Sequence, residues 1–248
     1  MENIFKVHRD MPRQGPGDNE STRRALDLTG LSGKSLKVLD IGCGPGMQTV
    51  ELAKSIEGRI TALDFHKKYL EELSGSAERE GIGERIETLE GSMFELEKYF
   101  KREEFDLIWS EGAIYIMGFE RGLKDVKPFL KSGGYLAVTE ITWLEDNPPK
   151  EIREFWDTNY PQMGTVKSNE DIAIENGYEV IDTFILPENS WWENYYNPLK
   201  ERCEFFKREE PTNSDLMEFI KETELEMELF KKYSSSYNYV FYVMKKSN

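Results

Sequence analysis

Histidine and cysteine are scarce in this 248-residue chain, at two of each: His8, His66, Cys43 and Cys203. Residues so few and so far apart make no metal site and no disulfide framework. Their scarcity suits a reducing compartment, and a cytoplasmic setting is expected. Basic charge is also in deficit. Lys and Arg number 32 against 47 Asp and Glu, a net charge of −15. Such a balance repels polyphosphates and anionic lipid surfaces, and the pair Lys245-Lys246 is too short to form a basic patch. Neither nucleic acid nor a membrane is an expected partner. No apolar run approaches the ~20 residues of a membrane span. Residues 1–5 lack the basic-then-apolar layout of a signal peptide. Internal repeats and low-complexity stretches are missing as well.

What is there alternates between two periodicities. Short apolar runs at 37–41, 59–63, 85–89, 105–109 and 133–142 read as buried strands, and helical spacing separates them at 46–56, 69–80 and 118–129. A strand, helix, strand, helix order implies βαβ units and a parallel sheet. A helix at 20–28 precedes them. After Asn147-Pro148-Pro149 the pattern changes to helices at 150–160, 170–176, 189–208 and 213–233, with strands at 178–186 and 237–244. No linker separates these pieces. One domain is expected, with a core at 34–145 and cap elements at 1–33, 146–168 and 188–235. The cap half is the more acidic: residues 146–248 hold 12 Lys and Arg against 21 Asp and Glu.

The most informative stretch is Val38-Leu39-Asp40-Ile41-Gly42-Cys43-Gly44-Pro45-Gly46, which follows a strand and opens a helix. Glycines there let a ligand approach the backbone, and the helix start offers free N–H groups. The spacing is G-x-G-x-G. A dinucleotide fingerprint would need glycine at position 47, where Met47 stands. Asp40 precedes the first glycine by two residues. Asp64 ends the next strand, where it can accept hydrogen bonds from ribose hydroxyls.

With these residues in place, the chain resembles the class I S-adenosylmethionine-dependent methyltransferases. It is most similar to the small-molecule enzymes related to ubiquinone and menaquinone biosynthesis. The resemblance spans roughly 34–145 well and the rest loosely. It implies an α/β fold of three layers: a doubly wound, mostly parallel seven-stranded sheet with a reversed final strand and inserted helices as a cap. It also implies S-adenosylmethionine as cofactor, with Gly42, Gly44 and Gly46 at its methionine end and Asp40 among the residues that bind it. Asp64 then falls on the ribose, with Phe65, Ser92 and Met93 near the adenine. Ser92 departs from the family, since aspartate is common there. Glu111, in Ser110-Glu111-Gly112-Ala113, matches the loop under the methionine end.

Methyl transfer from a sulfonium is a direct displacement, so positioning and exclusion of water do most of the work. A base is needed only if the nucleophile arrives protonated. Acceptor-site candidates lie after the strand ends: Glu111 and Tyr115 after the fourth, Glu140 and Trp143 at the fifth. Glu140 is read as a surface or supporting acid. His8 is a candidate base if the N-terminus folds over the pocket. His66 is expected at the cofactor's rim or in solvent. Arg13 and Gln14 lie in a loop read as a lid touching cofactor or substrate. In Trp191-Trp192-Glu193-Asn194-Tyr195-Tyr196 at least two rings should pack as core, and Trp191, Trp192 and Tyr195 are candidates for an acceptor wall. Aromatic faces and carboxylates favour cations.

The expected activity is transfer of a methyl group to an N or O nucleophile of a small-molecule acceptor, neutral or cationic. Two other readings stand beside it. One is a cofactor-binding regulator or scaffold without turnover, which a filled space beside the methyl group would mark. The other is a protein side-chain methyltransferase, which a long open groove would mark.

Overall fold

The computed structural model describes residues 2–247. Seven strands form one sheet: β1 (Ser35–Ile41), β2 (Glu57–Asp64), β3 (Ile86–Glu90), β4 (Phe105–Ser110), β5 (Leu130–Trp143), β6 (Tyr178–Ile185) and β7 (Tyr237–Lys246). Their order is β3-β2-β1-β4-β5-β7-β6. β1 to β5 are parallel, and β7 runs antiparallel to β5 and β6. The order reverses at β1, next to β4. Open α/β sheets bind ligands at such a switch, beyond the carboxyl ends of the strands. The sheet is the α/β, mostly parallel seven-stranded one expected, with its seventh strand reversed.

Helices cover both faces because the central strands are apolar on both sides. On one face α2 (Asn19–Thr29) and α3 (Met47–Ser55) bury Ala25, Leu26, Leu52 and Ala53 against Val38, Leu107 and Trp109. Beside them α4 (Lys67–Arg79) packs Leu70 and Leu73 on Ala62. On the other face α5 (Phe119–Val126) and α7 (Val166–Glu175) pack Phe119, Leu123 and Ala173 on Leu39, Ile108 and Val138.

A second apolar cluster lies over the carboxyl end of β5. It draws Val7 and Met11 from the N-terminus, Ile152 from α6 (Lys150–Asn159), and Leu199 and Cys203 from α9 (Asn197–Glu209). Leu216, Ile220 and Phe230 come from α10 (Ser214–Tyr233). These close on Ile141, Trp143 and Tyr237 of the sheet. Among the described residues no helix is long and apolar enough to cross a membrane.

Three elements differ from expectation. The helix expected at 170–176 starts earlier, at Val166, because Thr165 and Ser168 form a capping box. A serine at the third position replaces the usual Glu or Gln, so the sequence signal is weak. The single helix expected at 189–208 is α8 (Glu188–Trp191), a π-helical turn at Trp192–Tyr196, and then α9. The N-terminus opens with a helix, α1 (Glu2–His8), which packs on α9 and α10.

Candidate active site

The glycine loop leaves β1 at its carboxyl end, where Asp40 is fully buried. Gly42, Gly44 and Gly46 all take left-handed backbone angles, φ +69°, +55° and +83°. At Gly42 a Cβ would stand 2.4 Å from the Ala113 Cβ, and at Gly46 one would stand 2.3 Å from Leu73 Cδ1. The loop therefore threads between β4's loop and α4 with no room for a Cβ at Gly42 or Gly46.

Asp40 Oδ2 accepts hydrogen bonds from Thr49 Oγ1 at 2.6 Å and Gln48 Nε2 at 3.3 Å. Its Oδ1 is buried and has no partner among the described residues. Burial, helped by the nearby charges of Glu111 and Asp64, pushes this carboxyl up to about 7. Asp64 steadies the loop: its Oδ2 accepts the Gly44 N–H at 2.9 Å and its Oδ1 the His66 N–H at 2.8 Å. Phe65, next in line, is 71% exposed. Ser92 caps the turn after β3 by accepting the Phe94 N–H. Met93 brings its terminal methyl within 3.4 Å of the place a Gly42 Cβ would occupy. Eight of the nine expected cofactor residues, all but Glu111, thus gather on the glycine loop and the ends of β1, β2 and β3.

The N-terminal strap crosses this loop. Arg13 is 4% exposed and donates to Glu111 Oε2 at 2.7 Å and to Asn19 Oδ1 at 3.2 Å. Gln14 Oε1 accepts the Tyr69 hydroxyl at 2.6 Å, and its Cγ lies 3.5 Å from a Cβ built on Gly44. The strap is not a loose loop but is pinned at both side chains. Arg13 Nε is buried without a partner among the described residues. Glu111 is no free base: Oε1 takes Thr22 Oγ1 at 2.7 Å and Trp109 Nε1 at 2.9 Å, while Oε2 takes Arg13. It positions the strap.

Among the residues expected on the acceptor side, His8 is 5% exposed. Its Nδ1 faces the Ile4 carbonyl at 2.8 Å, so Nδ1 carries the proton, and Nε2 accepts the Tyr195 hydroxyl at 3.1 Å. Burial lowers its pKa and keeps the ring neutral. Both nitrogens are engaged, and His8 orients Tyr195 rather than standing free as a base. His66 lies beneath Phe5, ring centroids 3.7 Å apart. Trp143 and Trp191 do not wall a pocket. They are 2% and 1% exposed and belong to the cap's core, with Trp191 stacked on Phe230 at 4.0 Å. Trp192, half-buried, packs on Tyr196 and Phe230. Tyr115 is 39% exposed and meets Tyr160 edge-on at 6.0 Å.

Of the two readings of Glu140, surface acid or supporting acid, burial excludes the first: it is 1% exposed. Tyr160 donates to its Oε1 at 2.6 Å, and its Oε2 has no partner among the described residues. Burial pushes it up to about 8. The sequence signal was weak, since a polar residue in the run 136–143 reads equally well as a strand's solvent face.

Residues 32–202, well over half the chain, match the family described as the methyltransferase domain. The chain belongs to that family. This methyltransferase domain is 27% identical over 176 residues to the sterol 24-C-methyltransferase of Aspergillus fumigatus, covering 67% of the chain and 46% of the relative. It is 32% identical over 143 residues to the erythromycin 3''-O-methyltransferase of Saccharopolyspora erythraea, covering 54% of the chain and 45% of the relative. The chain spans just under half the length of these two curated relatives. Neither relative narrows the likeness to the quinone-biosynthesis enzymes. The fold is shared with a Geobacter sulfurreducens S-adenosylmethionine-dependent methyltransferase solved with S-adenosylhomocysteine, at TM-score 0.83 and 15% identity over 98% of this chain and 97% of that one.

Proposed function

We propose that this methyltransferase domain binds S-adenosylmethionine over the glycine loop and passes its methyl group to an N or O atom of a small acceptor, in the cytoplasm. One observation carries the reading. Beside the loop the fold buries one acceptor atom without a donor, Asp40 Oδ1, and one donor without an acceptor, Arg13 Nε. That pair fits an amino acid zwitterion, whose ammonium and carboxylate would meet them. Buried polar atoms left unpaired cost about 1–3 kcal/mol each, which a matching ligand recovers.

Asp64 would hold the ribose, and the exposed ring of Phe65 offers a face to the adenine. The bound cofactor supplies an electrophilic methyl carbon on a sulfonium, whose sulfur keeps the bonding pair when the methyl leaves. The chain's own work is then to orient and to dry the site. Gln14 and Arg13 hold the strap across the loop, and the pinned Glu111 keeps the strap in place. Tyr115 stands on the acceptor side, meeting Tyr160 edge-on. The cap over the end of β5 supports a small acceptor rather than a protein side chain.

Titration calorimetry with S-adenosylmethionine and S-adenosylhomocysteine tests the reading. Submillimolar binding of both is expected. Folded protein that binds neither would sink it. Asp64→Ala is expected to weaken both by ~1–3 kcal/mol.

A further inference from the structure

Asp40 is fully buried, and among the described residues no cation pairs with it. It sits inside the sheet, between Ala62 of β2 and Trp109 of β4. Two residues beyond each of these neighbours stands another acid, Asp64 and Glu111. Asp64 is held by the backbone N–H groups of Gly44 and His66. Glu111 takes the buried guanidinium of Arg13. From α3, Thr49 and Gln48 offer Asp40 neutral donors, both to Oδ2, while Glu51 of the same helix turns to Arg23. Oδ1 is left buried with no partner among the described residues. The Cys43 thiol, on the loop itself, stays protonated because burial raises its pKa.

Arg13 thus answers Glu111 and leaves Asp40 without a counter-charge. An ionised Asp40 would stand desolvated near two like charges with one oxygen unsatisfied, which favours the neutral acid. A proton does for Asp40 what Arg13 does for Glu111. An ammonium brought to Oδ1 would supply the missing charge and the missing donor together, and the proton would then be superfluous. Resting on the reading that the glycine loop binds S-adenosylmethionine, we propose that Asp40 holds a proton in the cofactor-free protein from neutral pH downward and gives it up to solvent when the cofactor's ammonium docks. The O–H bond of the carboxyl breaks, its electron pair stays on the carboxylate, and the ammonium keeps its own protons. Cofactor affinity then rises with pH across neutrality, where an ordinary carboxylate, ionised throughout, would leave it level.

S-adenosylhomocysteine, which carries the amino acid portion, and methylthioadenosine, which lacks it, form the probe pair. Each is titrated calorimetrically into the full chain at pH 6 and pH 8, in buffers of different ionisation enthalpy. With Asp40 titrating at about 7, S-adenosylhomocysteine should release about 0.9 proton at pH 6 and about 0.1 at pH 8, and should bind about tenfold more weakly at pH 6. Methylthioadenosine should release none and bind equally at both. Asp40→Asn should abolish the pH dependence of S-adenosylhomocysteine binding. Thr49→Val leaves Asp40 in place but takes a donor from its ionised form, so the release at pH 8 should increase. Equal S-adenosylhomocysteine affinities at the two pH values, a release shared by methylthioadenosine, a dependence retained by Asp40→Asn, or an unchanged release in Thr49→Val would each overturn the inference. In all of these S-adenosylhomocysteine still binds the wild-type chain, and the methyltransferase reading stands. Folded wild-type protein that binds neither probe strikes that reading itself, and the inference falls with it.

Discussion

Arg13 and Glu111 meet at 2.7 Å with 4% and 3% of their side chains exposed. A pair so buried gains little over an apolar one, but removing one partner strands the other. Glu111→Ala would leave Arg13 charged with only the neutral Asn19 amide as acceptor and would take the acceptor from Thr22 and Trp109 as well. A loss of ~3–5 kcal/mol is expected, read as a lower melting temperature by calorimetry. A melt unchanged from wild type would show that the strap is held by other contacts. Glu140 makes a prediction of opposite kind. Its carboxyl rises from the ordinary 4.5 to about 8 in the folded chain. Between these values the folded state binds the extra proton, so the stability Glu140 contributes is full below pH 4.5 and is lost as pH rises to about 8. The slope is at most ~1.4 kcal/mol per pH unit. Asp40, raised to about 7, adds to it with the same sign. Urea unfolding at pH 5.5, 6.5 and 7.5 should show the decline, and Glu140→Gln should flatten it. An equal slope in the variant would mean that Glu140 is ionised throughout.

At the scale of elements, the glycine loop separates two costs that glycine avoids. Gly44→Ala meets only Gln14 Cγ at 3.5 Å, so its penalty is the left-handed backbone, about 1–2 kcal/mol. Gly42→Ala adds a collision with Ala113 at 2.4 Å and should destabilise more. Pairing it with Ala113→Gly should return the collision part and leave the backbone part, as denaturant titrations can measure. No recovery in the double variant would place the strain elsewhere. The loop itself was legible in sequence because backbone geometry demands glycine there, and the strands were legible because each runs apolar between turn residues. The capping box of α7 and the π-helical turn at Trp192–Tyr196 were not. One uses serine where the usual signal is Glu or Gln, and the other lies where Trp192 and Tyr196 pack on Phe230 of α10, a contact distant in sequence. The site was legible in the same proportion. Asp40, Asp64 and the glycines announce themselves by spacing, whereas the burial of Glu140 and the pinning of Glu111 arise from contacts between segments distant in sequence. Trp191 illustrates the limit: an aromatic run names rings, and only packing decides which become core.

Across the whole molecule, the cap and the sheet share strands rather than meeting at a seam. Trp143 and Tyr237 pair across β5 and β7 at the end of that ladder and belong to the cap's apolar cluster. Trp191 extends the link, donating to Asn238 Oδ1 on β7 at 2.7 Å while stacking on Phe230 of α10. A core shared in this way should unfold with its sheet. Trp191→Ala removes a side chain 1% exposed and should cost ~3–5 kcal/mol. The chain is well placed to show how that loss spreads. Of its five tryptophans, Trp109 packs on the sheet, while Trp143, Trp156, Trp191 and Trp192 lie in the cap cluster. Tryptophan fluorescence therefore follows the cap, and far-ultraviolet circular dichroism follows cap and sheet together. In the wild type and in Trp191→Ala the two signals should trace one transition, displaced to lower denaturant in the variant. Fluorescence falling ahead of circular dichroism would instead show a cap that melts from a standing sheet. The sheet with its glycine loop would then be the stable unit, and the apolar cluster over the end of β5 a separately unfolding cover.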